Sequence, residues 1–222
     1  NMQSFKLKLR FLLLGFIVLI ASCTSNPPMP SLDKQANAFM VKGQNQFERG
    51  QWVSAIAYWQ QAVDLYQQID KVDLSIKALL KLAESYQRLG HYQKAEPTLK
   101  MALKQANNSG DEIQQAQVLG SLGQLCYAKG QVEEAQKYLE KSLQLAKQAK
   151  QPVLQAWGLL HLGPVLAAQQ NYLMAQTQLT QSIQLAQQQN KTSLALKGLM
   201  NKVSIELQMG DELTEAGKSP PS

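Results

Sequence analysis

The chain repeats itself with a period of 40 residues, and this self-similarity limits the fold more than any other feature of the sequence. Steps of 40 residues from Gly50 lead to a glycine in four of five copies: Gly50, Gly90, Gly130, Gln170 and Gly210. Alanine, a large apolar residue and a small residue recur five, nine and twelve positions later: Ala55, Trp59, Ala62; Ala95, Leu99, Ala102; Ala135, Leu139, Ser142; Ala175, Leu179, Ser182. Such fixed-period agreement is the signature of stacked repeats, in which each unit packs on its neighbours.

Each repeat is predicted to contain two helices, one before and one after the residue that recurs at each step of 40. Leu79, Leu82, Ala83 and Tyr86 follow the spacing i, i+3, i+4, i+7, which places them on one buried helical face. We predict first helices near 32–48, 73–88, 111–128, 153–168 and 193–208, and second helices near 52–69, 92–107, 132–149 and 172–189. Pro164 falls inside a first helix, where it removes a backbone hydrogen bond and is expected to kink the helix.

The same residues resemble the tetratricopeptide repeat family. Leu79, the pair Leu82-Ala83 and Tyr86 fill the family's first-helix positions. Ala95, Leu99 and Ala102 fill those of the second helix. The resemblance covers about residues 32–210. It implies an all-α, right-handed α-solenoid of antiparallel helix pairs, although the period of 40 exceeds the usual value of about 34 residues. Four repeats and a final capping helix are expected within residues 32–210, followed by a disordered tail at 211–222.

The first 22 residues have the features of a secretory signal peptide. Residues 1–10 carry three basic residues and no acidic one, and Phe11–Ala21 is apolar apart from Gly15. Spanning a bilayer requires about 20 apolar residues, so this stretch is too short for a transmembrane anchor. A basic segment, a short apolar segment and small residues before a break are typical of an exported protein.

The four residues that end in Cys23 resemble a bacterial lipobox, in which the cysteine is lipidated and becomes the new N-terminus. This resemblance implies an anchor at Cys23, and Thr24 behind it favours the outer membrane, on the periplasmic face. An ordinary signal peptide that happens to contain a cysteine is the alternative. The proline-rich stretch 23–31 is predicted to be a tether, because its prolines oppose a helix.

The sequence contains no catalytic or metal-binding constellation that we can identify. It has no Ser/His/Asp set, no CxxC, no HExxH and no phosphate-binding glycine loop. We therefore predict neither enzyme activity, nor a cofactor, nor a metal site. The net charge is +6, but three basic residues lie in the first ten positions and no basic cluster follows. Nucleic-acid binding is accordingly not indicated.

A polar stripe on the first helices is the predicted binding surface. In the tetratricopeptide family the first helices line a concave groove that holds a partner segment. The corresponding positions here are Lys77, Lys81, Glu84, Arg88, Gln117, Ser121, Gln124, Tyr127, Trp157, His161, Lys197 and Asn201. Trp157 is expected to be the main anchor for a partner, standing outside the repeat core, because tryptophan is enriched among binding hot spots.

These features predict a membrane-tethered module that binds a protein or peptide segment in the cell envelope. A more specific version resembles the pilotin-type lipoproteins, which assist secretin or pilus assembly. The alternative is a regulatory arm for a separate enzyme, because long-period repeats of this kind resemble those that precede caspase-like CHAT protease domains.

Overall fold

Helices of 17 or 18 residues, followed by a longer last helix, succeed one another along the described part of the chain. The computed structural model describes the backbone of residues 30–216 and the side chains of residues 30–210. This part of the chain contains α1 (Leu32–Glu48), α2 (Trp52–Gln68), α3 (Val72–Arg88), α4 (Tyr92–Ser109), α5 (Glu112–Ala128), α6 (Val132–Gln148), α7 (Pro152–Ala168), α8 (Tyr172–Gln188) and α9 (Thr192–Ala216). The predicted boundaries agree to within two residues for α1–α8. The predicted signal peptide, Cys23 and most of the tether lie outside the described residues.

Consecutive helices pack as antiparallel pairs, and the pairs stack into the predicted all-α, right-handed solenoid. Gly123 on α5 shows why the two helices of a pair can approach each other so closely. A Cβ atom at Gly123 would lie 2.6 Å from Cγ of Leu139, and one at Gly163 would lie at the same distance from Cγ of Leu179. In three repeats the glycine of the first helix, namely Gly43, Gly123 or Gly163, therefore receives the large residue of the second helix in the same repeat.

Two buried serines add a hydrogen bond to this packing. Ser142 Oγ donates to the Ala116 carbonyl oxygen and Ser182 Oγ donates to the Ala156 carbonyl oxygen, each at 2.6 Å. Both serines are fully buried, so these bonds satisfy hydroxyl groups that would otherwise be costly to bury. Each of these two repeats thus contains the same serine–carbonyl hydrogen bond inside its apolar core.

The turns between helices recur twice in each repeat, at half the period of the sequence pattern. One residue in every turn has a positive φ, namely Gly50, Asp70, Gly90, Gly110, Gly130, Lys150, Gln170 and Asn190. The amide after Gly50, that of Gln51, donates to the Gln46 carbonyl, which closes the preceding helix as in a Schellman motif. The sequence predicted the positions of the second set of turns but not their left-handed residues, because only Gly110 among those residues is a glycine.

Helix α7 continues through Pro164, and a neighbouring helix compensates for the missing amide. Proline cannot donate to the carbonyl four residues earlier, which belongs to Leu160. Asn201 Nδ2 on α9 lies 3.4 Å from this carbonyl oxygen and donates to it. The proline is accommodated because the next first helix supplies a side-chain donor.

The last helix differs from the prediction. We expected it to end near residue 208 and a disordered tail to begin at residue 211, but α9 runs without interruption to Ala216. Gly210 lies inside α9, whereas Gly90 and Gly130 form turns with positive φ. Glycine permits a left-handed turn but does not impose one. Residues 217–222 of the predicted tail lie outside the described part.

Among residues 30–216, no helix combines the length and the apolar character needed to cross a membrane.

The positive φ at Gln170 leads to a stability prediction. A left-handed residue with a Cβ costs about 1–2 kcal/mol, partly offset by the extra chain entropy of glycine. Gln170→Gly is therefore expected to stabilise the protein by about 0.5–1 kcal/mol. Thermal melts measure this change. Gly130→Gln, at the equivalent turn one repeat earlier, is the matched control and should destabilise it; equal melting temperatures for the two variants would contradict the argument.

Candidate partner-binding groove

The contacts between repeats place the first helices on the inner side of the solenoid. First helices touch the first helices of neighbouring repeats: α3 contacts α5, α5 contacts α7, and α7 contacts α9. The second helices pack mainly on first helices. Since the side on which like helices approach most closely is the inner side of a bend, the first helices form the concave surface.

All twelve predicted groove residues lie on these inner helices. Four belong to α3, four to α5, two to α7 and two to α9. Lys77, Arg88, Tyr127 and Lys197 are exposed, and the other eight are partly buried. The structure sorts them into a charged cluster at α3 and an uncharged centre on α5 and α7.

The charged cluster is built around an aromatic ring that the sequence analysis missed. Lys81 Nζ lies 5.9 Å from the centroid of the Phe47 ring, and Arg88 Cζ lies 5.8 Å from it. The Glu84 carboxylate is 3.3 Å from Lys81 Nζ and 3.8 Å from the Arg88 guanidinium. Cation–π and ion-pair contacts therefore hold both basic groups at the groove surface. The signal for Phe47 was its place in the repeat, which is the place of Tyr127 two copies later.

His161 is the polar residue at the centre of the groove. The side-chain nitrogen of Gln124 lies 2.6 Å from Nε2 and 2.9 Å from Nδ1 of His161, so the amide bridges α5 and α7. A neutral imidazole has one unprotonated nitrogen that can accept this bond. The contact therefore favours the neutral ring.

Trp157 packs more tightly than expected. Its ring centroid lies 4.2 Å from that of His161, and its six-membered ring lies against Gly120, where a Cβ atom would collide with it. Trp157 is partly buried against the core. The expectation that it stands outside the core is wrong, because Gly120 leaves a space that the indole fills. The signal was Gly120 itself, which stands where Leu80 and Leu160 stand in neighbouring copies.

Two further groove residues are engaged in contacts within the protein. The hydroxyl of Ser121 donates to the Gln117 carbonyl oxygen at 3.1 Å, and the Asn201 amide group donates to Leu160 as described above. The carbonyl oxygen of the Asn201 side chain can still accept a bond. These residues shape the groove and contribute fewer donors to a ligand than their side chains suggest.

The environment of His161 favours its neutral form. Burial lowers its pKa from the ordinary value of 6.5 to about 4, and the positive charge of Lys197 acts in the same direction. The centre of the groove is therefore uncharged at neutral pH, while Lys77, Lys81 and Arg88 lie towards one end and Lys197 towards the other. Within residues 30–210, no group of three or more His, Cys, Asp or Glu side chains could hold a metal ion.

The lowered pKa of His161 predicts a loss of stability in mild acid. Between about pH 6.5 and pH 4 the unfolded chain binds a proton at this position and the folded chain does not, so acidification favours unfolding. The stabilisation present above pH 6.5 should fall by roughly 3 kcal/mol across this interval. Unfolding by urea at a series of pH values measures it.

Variants separate this effect from the titration of carboxylates. His161→Gln keeps a partner for Gln124 and removes the ionisable ring, so it should flatten this part of the profile. His91→Gln, at an exposed turn, replaces the only other histidine of the chain and serves as the control. Identical pH profiles for the wild type and His161→Gln would show that His161 does not cause the dependence.

Known structures share this architecture. A Rap conjugation gene regulator of plasmid pLS20, solved in complex with the Phr* peptide, is 19% identical with a TM-score of 0.69. The match covers 78% of this chain and 47% of the regulator, so the chain spans about half of that protein. The apo form of RapI is 16% identical with a TM-score of 0.68, covering 89% of this chain and 74% of RapI.

Similarity extends to a further repeat structure and to a family profile. A putative kinesin light chain repeat structure from Podosopora anserina is 16% identical, with a TM-score of 0.63 and coverage of 85% and 94%. No curated protein is similar enough to count as a match. The tetratricopeptide repeat profile matches residues 34–108, 74–148 and 112–188, which together exceed half of the sequence. The chain therefore belongs to the tetratricopeptide repeat family.

Proposed function

We propose that the chain is a lipid-anchored interaction module of the bacterial cell envelope whose concave groove binds a peptide segment of a partner protein. The coarser part of this function, a scaffold for protein–protein interaction, follows from the repeat family. The nature of the ligand and the anchor are the parts that we propose here.

The distribution of charge in the groove is the observation that supports a peptide ligand. Its uncharged centre contains Trp157, neutral His161 and the amide side chain of Gln124. Amide groups both donate and accept hydrogen bonds, so they suit the alternating donors and acceptors of a peptide backbone. The basic residues towards both ends favour acidic side chains or a terminal carboxylate. An acidic segment with one apolar residue fits this arrangement.

A structural neighbour supports the same interpretation. The pLS20 Rap regulator was solved with a bound peptide, and its fold matches most of this chain. At 19% identity this likeness extends to the fold and not to individual contacts. It supports the proposal that a solenoid of this shape can accommodate a peptide.

The proposed anchor rests on the sequence before residue 30. A basic segment, the apolar stretch Phe11–Ala21 and the small residues before Cys23 have the order of an export signal. Two or more acyl chains hold a protein firmly, since each buried CH₂ contributes about 0.8 kcal/mol. The segment between Cys23 and α1 would then tether the solenoid close to the membrane.

Charge reversal in the groove tests the ligand class. A display library of short peptides, selected against the full chain, should be enriched in acidic residues beside one large apolar residue. Lys77→Glu combined with Lys81→Glu should weaken the binding of such a peptide about tenfold, equal to ~1.4 kcal/mol. Fluorescence anisotropy at two salt concentrations measures the affinity and its electrostatic part.

A matched pair of lysines on the outer helices provides the control. Lys137→Glu combined with Lys141→Glu changes the same charge at the same spacing on α6, where both side chains are exposed. This pair should leave affinity almost unchanged. If both double variants lose affinity equally, or if the selected peptides are basic, the groove is not the binding site that we propose.

Replacing the anchor residue tests localisation. Cys23→Ser should shift the protein from the membrane fraction to the soluble fraction or leave it unprocessed, because no thiol remains to be acylated. Metabolic labelling with a fatty-acid probe reports the modification directly. Cys126→Ser is the control, since Cys126 is buried within the repeats. Labelling that persists in Cys23→Ser and is lost in Cys126→Ser would refute the anchor.

A further inference from the structure

Exposed apolar residues are concentrated on the last helix. Five large apolar side chains of α9 are between 44% and 71% exposed, namely Leu196, Leu199, Met200, Val203 and Leu207. We call this set the C-terminal edge. The residues one repeat earlier on α7 are all buried: Ala156, Leu159, Leu160, Gly163 and Ala167. The C-terminal edge therefore has the composition of an interior surface without the helices that cover it in α7.

The neighbouring helix also lacks the charges of a solvated surface. Helix α8 contains no charged residue, whereas α4 and α6 each contain several. A cleft of about 500 Å³ lies beside it, lined by α8 residues, among them Leu173, Thr177 and Gln181, and by Lys202 of α9. An uncharged wall next to an apolar helix is suited to contact with another helix.

Another second helix of the same repeat type would not fit this surface. In three of the four earlier repeats a glycine on the first helix admits the large residue of its second helix, as Gly163 admits Leu179, and the fourth has an alanine there. Val203 stands at the corresponding position of α9 and fills that space with its own side chain. In addition, α9 remains helical through Gly210 to Ala216, where a second helix would have to begin. The edge requires a different occupant.

The apolar residues have the spacing of a helix-pairing seam. Leu196, Met200, Val203 and Leu207 are separated by four, three and four residues, which is the alternation of a coiled-coil core. A helix with the same spacing can interlock with this seam. A second copy of α9 satisfies this requirement without any other protein.

The charges of α9 indicate the orientation of the occupant. Its sequence has Lys197 and Lys202 in the first half, and Glu206 and then Asp211, Glu212 and Glu215 in the second. This order opposes the helix macrodipole, which favours acidic residues near the start and basic residues near the end. The order is favourable when two α9 helices pack antiparallel, because the basic half of each then lies opposite the acidic half of the other.

We propose that two copies of the chain associate through their C-terminal edges, with the two α9 helices antiparallel about a two-fold axis. Each Leu196 then lies near Leu207 of the other copy, and each Met200 lies near Val203 of the other copy. A two-fold interface is closed, so the assembly stops at the dimer. The concave grooves remain accessible, because the edge is at the end of the stack.

Sedimentation of the full chain in density-matched detergent tests the association. The wild type should show a concentration-dependent dimer, and Met200→Glu should be monomeric. At concentrations where the wild type is also monomeric, the two should melt at the same temperature, because residue 200 is 71% exposed in the protomer. Val53→Glu introduces the same charge at a residue that is 69% exposed on α2, and it should still dimerise. A wild type that is monomeric at every concentration, or a dimer that survives Met200→Glu, overturns the proposal.

Cysteine crosslinking in membranes tests the orientation. Copies with Leu196→Cys and copies with Leu207→Cys should form a disulfide when they are mixed, because a disulfide requires Cα atoms within about 7 Å. Antiparallel helices bring these positions together. Crosslinking of Leu196→Cys alone would indicate parallel helices, and crosslinking of Val53→Cys instead would place the interface at the other end; either result contradicts the proposed dimer. Peptide binding in the groove should survive in the monomeric Met200→Glu variant, so the two proposals fail independently.

Discussion

The close approach of two helices at a small residue is the contact on which the solenoid depends. Gly123 and Gly163 leave no room for a side chain, and Leu139 and Leu179 fill the space above them. This contact sets the distance within each pair and fixes the faces that remain for the next repeat. Each repeat packs only on its neighbours, so no common core could compensate for a change in the distance within one pair. Such a change would alter the positions of the repeats that follow.

The groove follows from the same arrangement but is shaped by departures from it. Gly120 replaces a large residue and admits the Trp157 ring, and Pro164 leaves a carbonyl group for the side chain of Asn201. Burial keeps His161 neutral between the charged ends of the surface. The regular positions of the repeat therefore build the scaffold, and its irregular positions give the concave face a specific chemistry.

The sequence predicted most of the fold and little of the detail of the candidate site. Helix boundaries were predictable because buried positions recur in every copy. The packing of Trp157 and the contribution of Phe47 were missed, since each depends on contacts with residues of another repeat: Trp157 packs on Gly120, and Phe47 lies beneath Lys81 and Arg88. Likewise, nothing in the spacing of Gly210 distinguishes it from Gly130, and only the helix that follows shows that no turn forms there.

The turns impose a rule on changes in the length of this chain. Left-handed residues occur twice in each repeat at equal intervals, and successive helices alternate between the inner and outer sides. Gain or loss of one full period would add or remove a complete pair and leave every other residue on its original side. Gain or loss of half a period would exchange the inner and outer helices beyond that point. Recombination within the gene can thus lengthen or shorten the groove only by whole helix pairs. Because the turns have the same left-handed geometry at equal intervals, such a change can occur at any of the repeats.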